Sequence, residues 1–168
     1  MTKNFVVALL FDEHLNDVVL VRRAREPFAG RHNGPGGEVE EEETPLRATF
    51  REIREETGLT ADNLTTFPDG RKLLWLGTLA IPRNRKYPEI RGDEADPPAK
   101  LHYYAGMMTP DARPRTMEER NVVLRFNVYD VTHHTPNHPW LAGNGNLEYF
   151  VREAISRLTE NQKGGDPS

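Results

Sequence analysis

"GPGGEVEEEETPLRATFREIREETGL", Gly34–Leu59, gathers eight acidic side chains and four glycines around one short apolar pattern. Its second half reads as a helix. Thr44 is a good N-cap, and Pro45 takes the first helical position, where a missing N–H costs little. Gly58 is a natural left-handed terminator. Leu46, Phe50, Ile53 and Thr57 fall along one stripe, the expected core face. Glu52, Glu55 and Glu56 are spaced i, i+3, i+4 and share a face roughly opposite that stripe. Two local rules are broken there. Like charges at these spacings repel, and acids beside a helix C-terminus oppose the macrodipole. A bound divalent cation would remove both penalties. The acidic ligands offer only hard oxygens, which suits Mg2+ or Mn2+ better than zinc. A solvated acidic face is the ordinary alternative. The glycines ahead of the helix argue against it, because they let backbone approach a phosphate or a metal closely.

Outward from this stretch, "NFVVALLF" and "DVVLVRR" are short β-rich runs separated by a polar turn, and read as a hairpin of Phe5–Phe11 with Asp17–Arg23. "EPFAGRHNGPGGEVE" carries too much Gly and Pro for regular structure and reads as a shaped loop. "KLLWLGTLAI", "KLHYYAGMM" and "NVVLRFNVYDV" are further strand candidates. Between the first two lies a polar, Pro-rich excursion at about 82–100. "NLEYFVREAISRLTE" is an amphipathic helix with Leu147, Phe150, Val151, Ala154, Ile155 and Leu158 facing inward, and Asn146 is its expected N-cap. Residues 161–168 read as a disordered tail. The order β-β-loop-α-β…β-β-α predicts an α/β fold, a mixed sheet with helices on both faces, in a single domain over 1–160.

The 168 residues suffice for a substantial core, and the formal charge of −4 points to no general nucleic-acid or membrane surface. No cysteine is present, which excludes disulfides, thiolate nucleophiles and zinc-thiolate sites. No run approaches a membrane span, and the N-terminus lacks a signal-peptide pattern, so a cytoplasmic location is expected.

Gly37, then five residues, Glu43, then seven, then Arg51-Glu52-Ile53-Arg54-Glu55-Glu56-Thr57-Gly58-Leu59 matches the Nudix box, G-x5-E-x7-R-E-U-x-E-E-x-G-U with U apolar, at every fixed position. The box spans 37–59, and the chain thereby resembles the Nudix hydrolases. That resemblance implies the Nudix α/β/α sandwich and metal-dependent hydrolysis of a nucleoside diphosphate linked to another group. It implies that Gly37, Glu52, Glu55 and Glu56 hold the metal, Gly37 through its carbonyl, and that Arg51 orients a carboxylate with Glu43 as its partner. Family members often add an acid from a distant loop. "ARPRTMEERNVV" offers Glu118 and Glu119, and Glu119 joins Glu52, Glu55, Glu56 and Arg51 as a catalytic candidate.

"GRHNGPGGEVE" resembles the substrate loop of the MutT-like branch, with His32 where that branch carries Trp. The resemblance places Asn33 in a base pocket, as an amide able to donate and accept. Its ordinary alternative is an Asn favoured by the Asn-Gly turn. "NGNLEYFV" resembles the segment before the last helix of the same branch, with Gly145 and Asn146 replacing that branch's acidic base-reading residues. Arg23, Gly36 and Asn146 complete the substrate candidates. The function implied first is cleavage of a purine nucleoside triphosphate, oxidised bases included, to a monophosphate and pyrophosphate. The alternatives are an ADP-ribose or nucleotide-sugar pyrophosphatase and a non-catalytic nucleotide-sensing module. The partner expected is a small nucleotide; neither polymeric nucleic acid nor a membrane is expected, and homodimerisation is left open.

Overall fold

Strand β1 (Lys3–Phe11) is the axis of the molecule. Its sequence, KNFVVALLF, becomes apolar on both faces after the first residues, as a strand covered on both sides requires. The computed structural model describes residues 2–24, 29–81, 98–118, 121–133, 141 and 145–163. Along one edge β1 pairs in parallel with β6 (Ala99–Met107) over its whole length, from Lys3↔Ala99 to Phe11↔Met107. Its other edge is shared. Phe11 pairs with Val18 of β2 (Asp17–Arg22), closing the hairpin, while Phe5–Val7 pair with Gly36–Glu38, strand β4. β2 also pairs with β3 (His32–Asn33) and with β7 (Val123–Asn127), and β5 (Leu74–Ile81) forms the far edge beyond β6.

Alternation along β1 divides the core in two. Val7, Leu9 and Phe11 pack with Leu147, Val151, Ala154 and Leu158 of the last helix, α3 (Asn146–Lys163). Val6, Ala8 and Leu10 pack with Ala48 and Ile53 of α1 (Pro45–Thr57). The mixed sheet between helices is therefore the arrangement that the order of elements implied.

Local signals place α1 as read. The Thr44 hydroxyl accepts from the Arg47 N–H at 3.2 Å, and Gly58 adopts φ 73° with its N–H on the Arg54 carbonyl. The inward face differs from the expected stripe. Leu46 is 43% exposed and Phe50 only partly buried, while Ala48, Thr49, Glu52, Ile53 and Thr57 are buried. Thr49 and Thr57 enter the core because each hydroxyl donates to a carbonyl four residues back, Pro45 and Ile53. Glu52 is buried because the helix turns that face toward Gly37 of β4, where no side chain stands in the way.

Four further readings change. The Gly-rich loop contributes two short strands, β3 and β4, because exposed backbone on β2 and β1 offers partners. The run "NVVLRFNVYDV" stops being a strand at Asn127, whose carboxamide oxygen caps a short helix, α2 (Val128–Thr132), by accepting from the Tyr129 N–H at 2.9 Å. Asn146 is not a cap but the first residue of α3; the Gly145 carbonyl accepts from the Tyr149 N–H at 3.1 Å, one position earlier. That helix continues through Lys163, taking residues 161–163 from the expected tail. Residues 164–168 and most of the excursion, 82–97, lie outside the described residues, while Ala99 and Lys100 begin β6.

Gly36 shows how closely β4 seats on β1. A Cβ there would lie 2.0 Å from the Val6 carbonyl oxygen and 3.1 Å from the Val7 Cα, both backbone atoms. Gly36→Ala should therefore part β4 from β1 and cost at least about 2 kcal/mol of stability. Chemical denaturation measures this directly, and a variant as stable as the wild type would show that the strands are not so tightly apposed.

Candidate active site

The site is built where α1 meets β4. A Cβ on Gly37 would stand 2.3 Å from Glu52 Oε1, so a side chain there would push this carboxylate off the strand. One residue earlier, the Gly36 N–H donates to Glu56 Oε2 at 3.3 Å. Two glutamates of one helix thus converge on two consecutive glycines.

Arg51 holds the opposite flank. Its Nε and Nη2 donate to the two oxygens of Glu43, both at 3.0 Å, in a bidentate pair. Nη1 donates to Glu52 Oε1 at 2.7 Å and to Glu55 Oε2 at 3.2 Å, and Nη2 also reaches the Glu38 carbonyl at 2.9 Å. One guanidinium therefore ties three carboxylates of the acidic stretch to the backbone of β4. Sequence reasoning foresaw the Glu43 partner but not the Glu38 carbonyl, which no motif position marks.

Titration follows this geometry. The hydrogen bond from Arg51 holds Glu43 below the usual carboxylate range, and Arg51 is raised in return, first by Glu43. Burial raises Glu52, opposed by its hydrogen bond from Arg51. Burial also pushes Glu56 up to about 7, with the charge of Glu52 adding to it; the Gly36 N–H and the charge of Arg23 oppose the rise, and the charge of Glu118 adds again. Arg23 and Glu118, far apart in the chain, are thus both brought within electrostatic reach of Glu56. Glu119 lies outside the described residues.

The three helix glutamates are engaged separately: Glu52 on Gly37 and Arg51, Glu56 on Gly36, and Glu55 on Arg51 with half its side chain exposed. Among the described residues no three acidic or histidine side chains gather tightly enough to hold a metal ion. The donor chemistry nonetheless suits a hard divalent cation. Burial raises the proton affinity of both Glu52 and Glu56, and neighbouring acids add to it, Glu55 and Glu43 at Glu52 and Glu52 at Glu56; a cation would relieve the same strain.

The remaining substrate candidates are dispersed along β2, β3 and the start of α3. Asn33 sits in β3 opposite Val21, and its Oδ1 accepts from the N–H of the next residue, Gly34, at 2.9 Å. Gly36 belongs to the carboxylate cradle. Arg23 lies just beyond β2, its N–H on the Arg31 carbonyl and its own carbonyl accepting from Gly30, both at 2.8 Å. Asn146 opens α3.

This site stands in a fold shared widely. The NUDIX domain family matches residues 1–144, and the chain belongs to that family. Nudix hydrolases generally use divalent metal ions. Among curated relatives, the chain is 35% identical over 68 residues to the 8-oxo-dGTP diphosphatase of Escherichia coli, covering 36% of this chain and 53% of that protein. It is 50% identical over 44 residues to the ADP-ribose pyrophosphatase of Methanocaldococcus jannaschii, covering 26% of each. The matched stretches therefore span about half and about a quarter of these relatives' lengths. The NUDIX domain of Shewanella oneidensis NrtR, solved with ADP ribose, superposes with a TM-score of 0.66 at 20% identity, covering 94% of this chain and 89% of that one. Among the described residues no helix is long and apolar enough to cross a membrane.

The raised Glu56 has a consequence for stability. An acid whose folded pKa exceeds its ordinary value binds its proton more tightly in the folded protein, so stability falls as pH rises between the two values. For Glu56 that window runs from 4.5 to about 7. In chelator, Tm of Glu56→Gln should decline less over this window than Tm of the wild type. Parallel profiles would show that Glu56 titrates normally.

Proposed function

We propose that this chain is a divalent-metal-dependent pyrophosphohydrolase that cleaves nucleoside diphosphate-X compounds, with a purine nucleoside triphosphate, oxidised bases included, as its preferred substrate. Water attacks phosphorus, the bridging P–O bond breaks, and a nucleoside monophosphate and pyrophosphate leave. The observation that carries this reading is the pair of carboxylates, buried Glu52 and partly buried Glu56, seated on consecutive glycines of one strand. Such a pair is unfavourable in isolation and suits a site that handles polyphosphate through a cation.

Glu52, Glu55, Glu56 and the Gly37 carbonyl would hold Mg2+ or Mn2+. When bound, the ion supplies charge neutralisation on the phosphates and a more acidic water. The chain's own residues set the stage. Arg51 fixes Glu43, Glu52 and Glu55 against β4. Without a metal, Glu56 has a pKa pushed up to about 7, so binding of the cation near neutrality would release a proton from it. Glu118, whose charge reaches Glu56, is the candidate for the carboxylate from a distant loop, together with Glu119. Asn33 and the start of α3 are the candidates for the base.

A second reading, an ADP-ribose pyrophosphatase, is favoured by the 50% identity over 44 residues to such an enzyme. Turnover of a panel of nucleoside triphosphates, ADP-ribose and nucleotide sugars decides between them. The expected result is highest kcat/KM on a purine triphosphate; a preference for ADP-ribose of about tenfold or more selects the second reading.

Glu56→Gln should keep the fold and lower kcat by at least roughly tenfold. Near-wild-type turnover, or turnover in excess chelator, would remove the metal-dependent reading.

Glu118→Gln separates a reacting role from a surface one. Turnover should fall several-fold with Tm unchanged. Full activity in this variant assigns the distant carboxylate to another residue.

A further inference from the structure

After β6 the chain passes Ala112, which is 1% exposed and packs in the core on the α1 side of the sheet. Its carbonyl accepts from two arginines, Arg113 Nη1 at 2.9 Å and Arg125 Nη2 at 3.4 Å. Arg113 Nη1 also donates to the Pro110 carbonyl at 2.9 Å. Arg125 reaches the same point from β7, where it pairs with Val19 of that core. A buried carbonyl needs a donor, but a single neutral one would satisfy it. Here two guanidinium nitrogens stand within two hydrogen-bond lengths of each other. Arginine stays protonated throughout the working pH range, so the two groups repel.

No ion pair relieves that repulsion. Among the described residues no carboxylate lies within salt-bridge distance of Arg113 or Arg125. Asp111 senses the charge of Arg113, but its carboxylate is engaged first by the Thr109 hydroxyl. Glu118 accepts from Asn121 Nδ2 at 3.2 Å. Nearby Arg115 has a structural reason to be cationic: its side chain lies over Gly58, at the C-terminal end of α1, where positive charge suits the helix dipole. Arg113 and Arg125 cap no helix. Both are exposed, and their anchors occupy one terminal nitrogen each. A guanidinium carries five N–H donors, so most of each fork faces outward without a protein partner among the described residues. The backbone around them is fixed: Thr109 N–H donates to the Asn63 carbonyl at 2.9 Å, Arg115 N–H to the Thr57 carbonyl at 3.0 Å, and Val123 N–H to the Thr116 hydroxyl at 3.0 Å.

We infer that Arg113 and Arg125, gathered on the Ala112 carbonyl, form an anion site that takes a phosphate-type dianion. Two fixed positive charges match a dianion, and planar forks match pairs of oxygens on a tetrahedral phosphorus. Acetate brings one charge, and chloride brings no oxygen pair. The phosphate chemistry has two sources, free phosphate or pyrophosphate and the phosphoryl chain of a nucleotide. The site needs neither a metal nor turnover, so it is tested apart from the reaction proposed above.

The test measures Tm and calorimetric affinity in excess chelator at neutral pH, with inorganic phosphate, pyrophosphate and adenosine triphosphate. Chloride and acetate at matched ionic strength are the controls, because simple screening acts on all of them alike. Phosphate should raise the Tm of the wild type where chloride and acetate do not. Arg113→Gln and Arg125→Gln should each weaken phosphate binding by about tenfold or more, and the double variant should lose the response. Arg125→Lys, which keeps the charge without the fork, should weaken it several-fold. Adenosine triphosphate that binds about tenfold tighter than the free ions, with that margin lost in the variants, makes the nucleotide the ligand; any other ranking of variant-sensitive affinities makes it the free ion, and both support the site. A wild type that responds to phosphate no more than to chloride overturns the inference, whether or not the variants fold. So does phosphate affinity that is unchanged in a folded double variant.

Discussion

The contact on which the site depends is the one between Arg51 and the acidic side chains around it. Helix α1 carries Glu52, Glu55 and Glu56 close together, and its approach segment adds Glu38 and Glu40 to Glu43. Left to themselves these charges would drive the helix from the strand. The guanidinium reverses that tendency by donating to Glu43, Glu52, Glu55 and the Glu38 carbonyl at once. A lysine could match the charge but not the planar set of donors that reaches four acceptors in fixed directions. Glycine supplies the other half of the arrangement. Without side chains at Gly36 and Gly37, carboxylates meet backbone directly, and electrostatic strain is concentrated where chemistry can use it.

The sheet distributes these parts. β1 gives one edge wholly to β6 and divides the other between β2 and β4. That division sets the β2–β3–β7 portion and the glycine strand along different stretches of β1, with α1 on one face and α3 on the other. Arg23, from the end of β2, and Glu118, from the approach to β7, come into electrostatic reach of Glu56 through this branching, not through nearness in the chain.

What could be read in the sequence was what is decided locally. The hairpin, the caps at Thr44 and Gly58, and the buried face of α3 follow from periodicity and turn chemistry within a few residues, and the Nudix spacing named the acidic helix. The failures are non-local. Leu46 fits the apolar period yet faces water, because β4 draws Glu52 into the position opposite. β3 and β4 were hidden in a loop-like composition, since their pairing depends on edges supplied elsewhere. Glu148 gave no signal at all: a glutamate in the first turn of an amphipathic helix looks like an ordinary solvated acid, and only the packing around it reveals burial.

The parallel pairing of β1 with β6 also governs how the chain is made. Lys3–Phe11 are synthesised before their partners, Ala99–Met107, which follow almost a hundred positions later. Until then a markedly apolar strand has one side with no neighbour, and only the β2 hairpin and then β4 can shelter the other. Long-range parallel pairing is slow to form, and a waiting strand edge invites association with other nascent chains. The early hairpin and the nearby acidic stretch, which repels like chains, therefore protect the newborn protein before they serve the finished one.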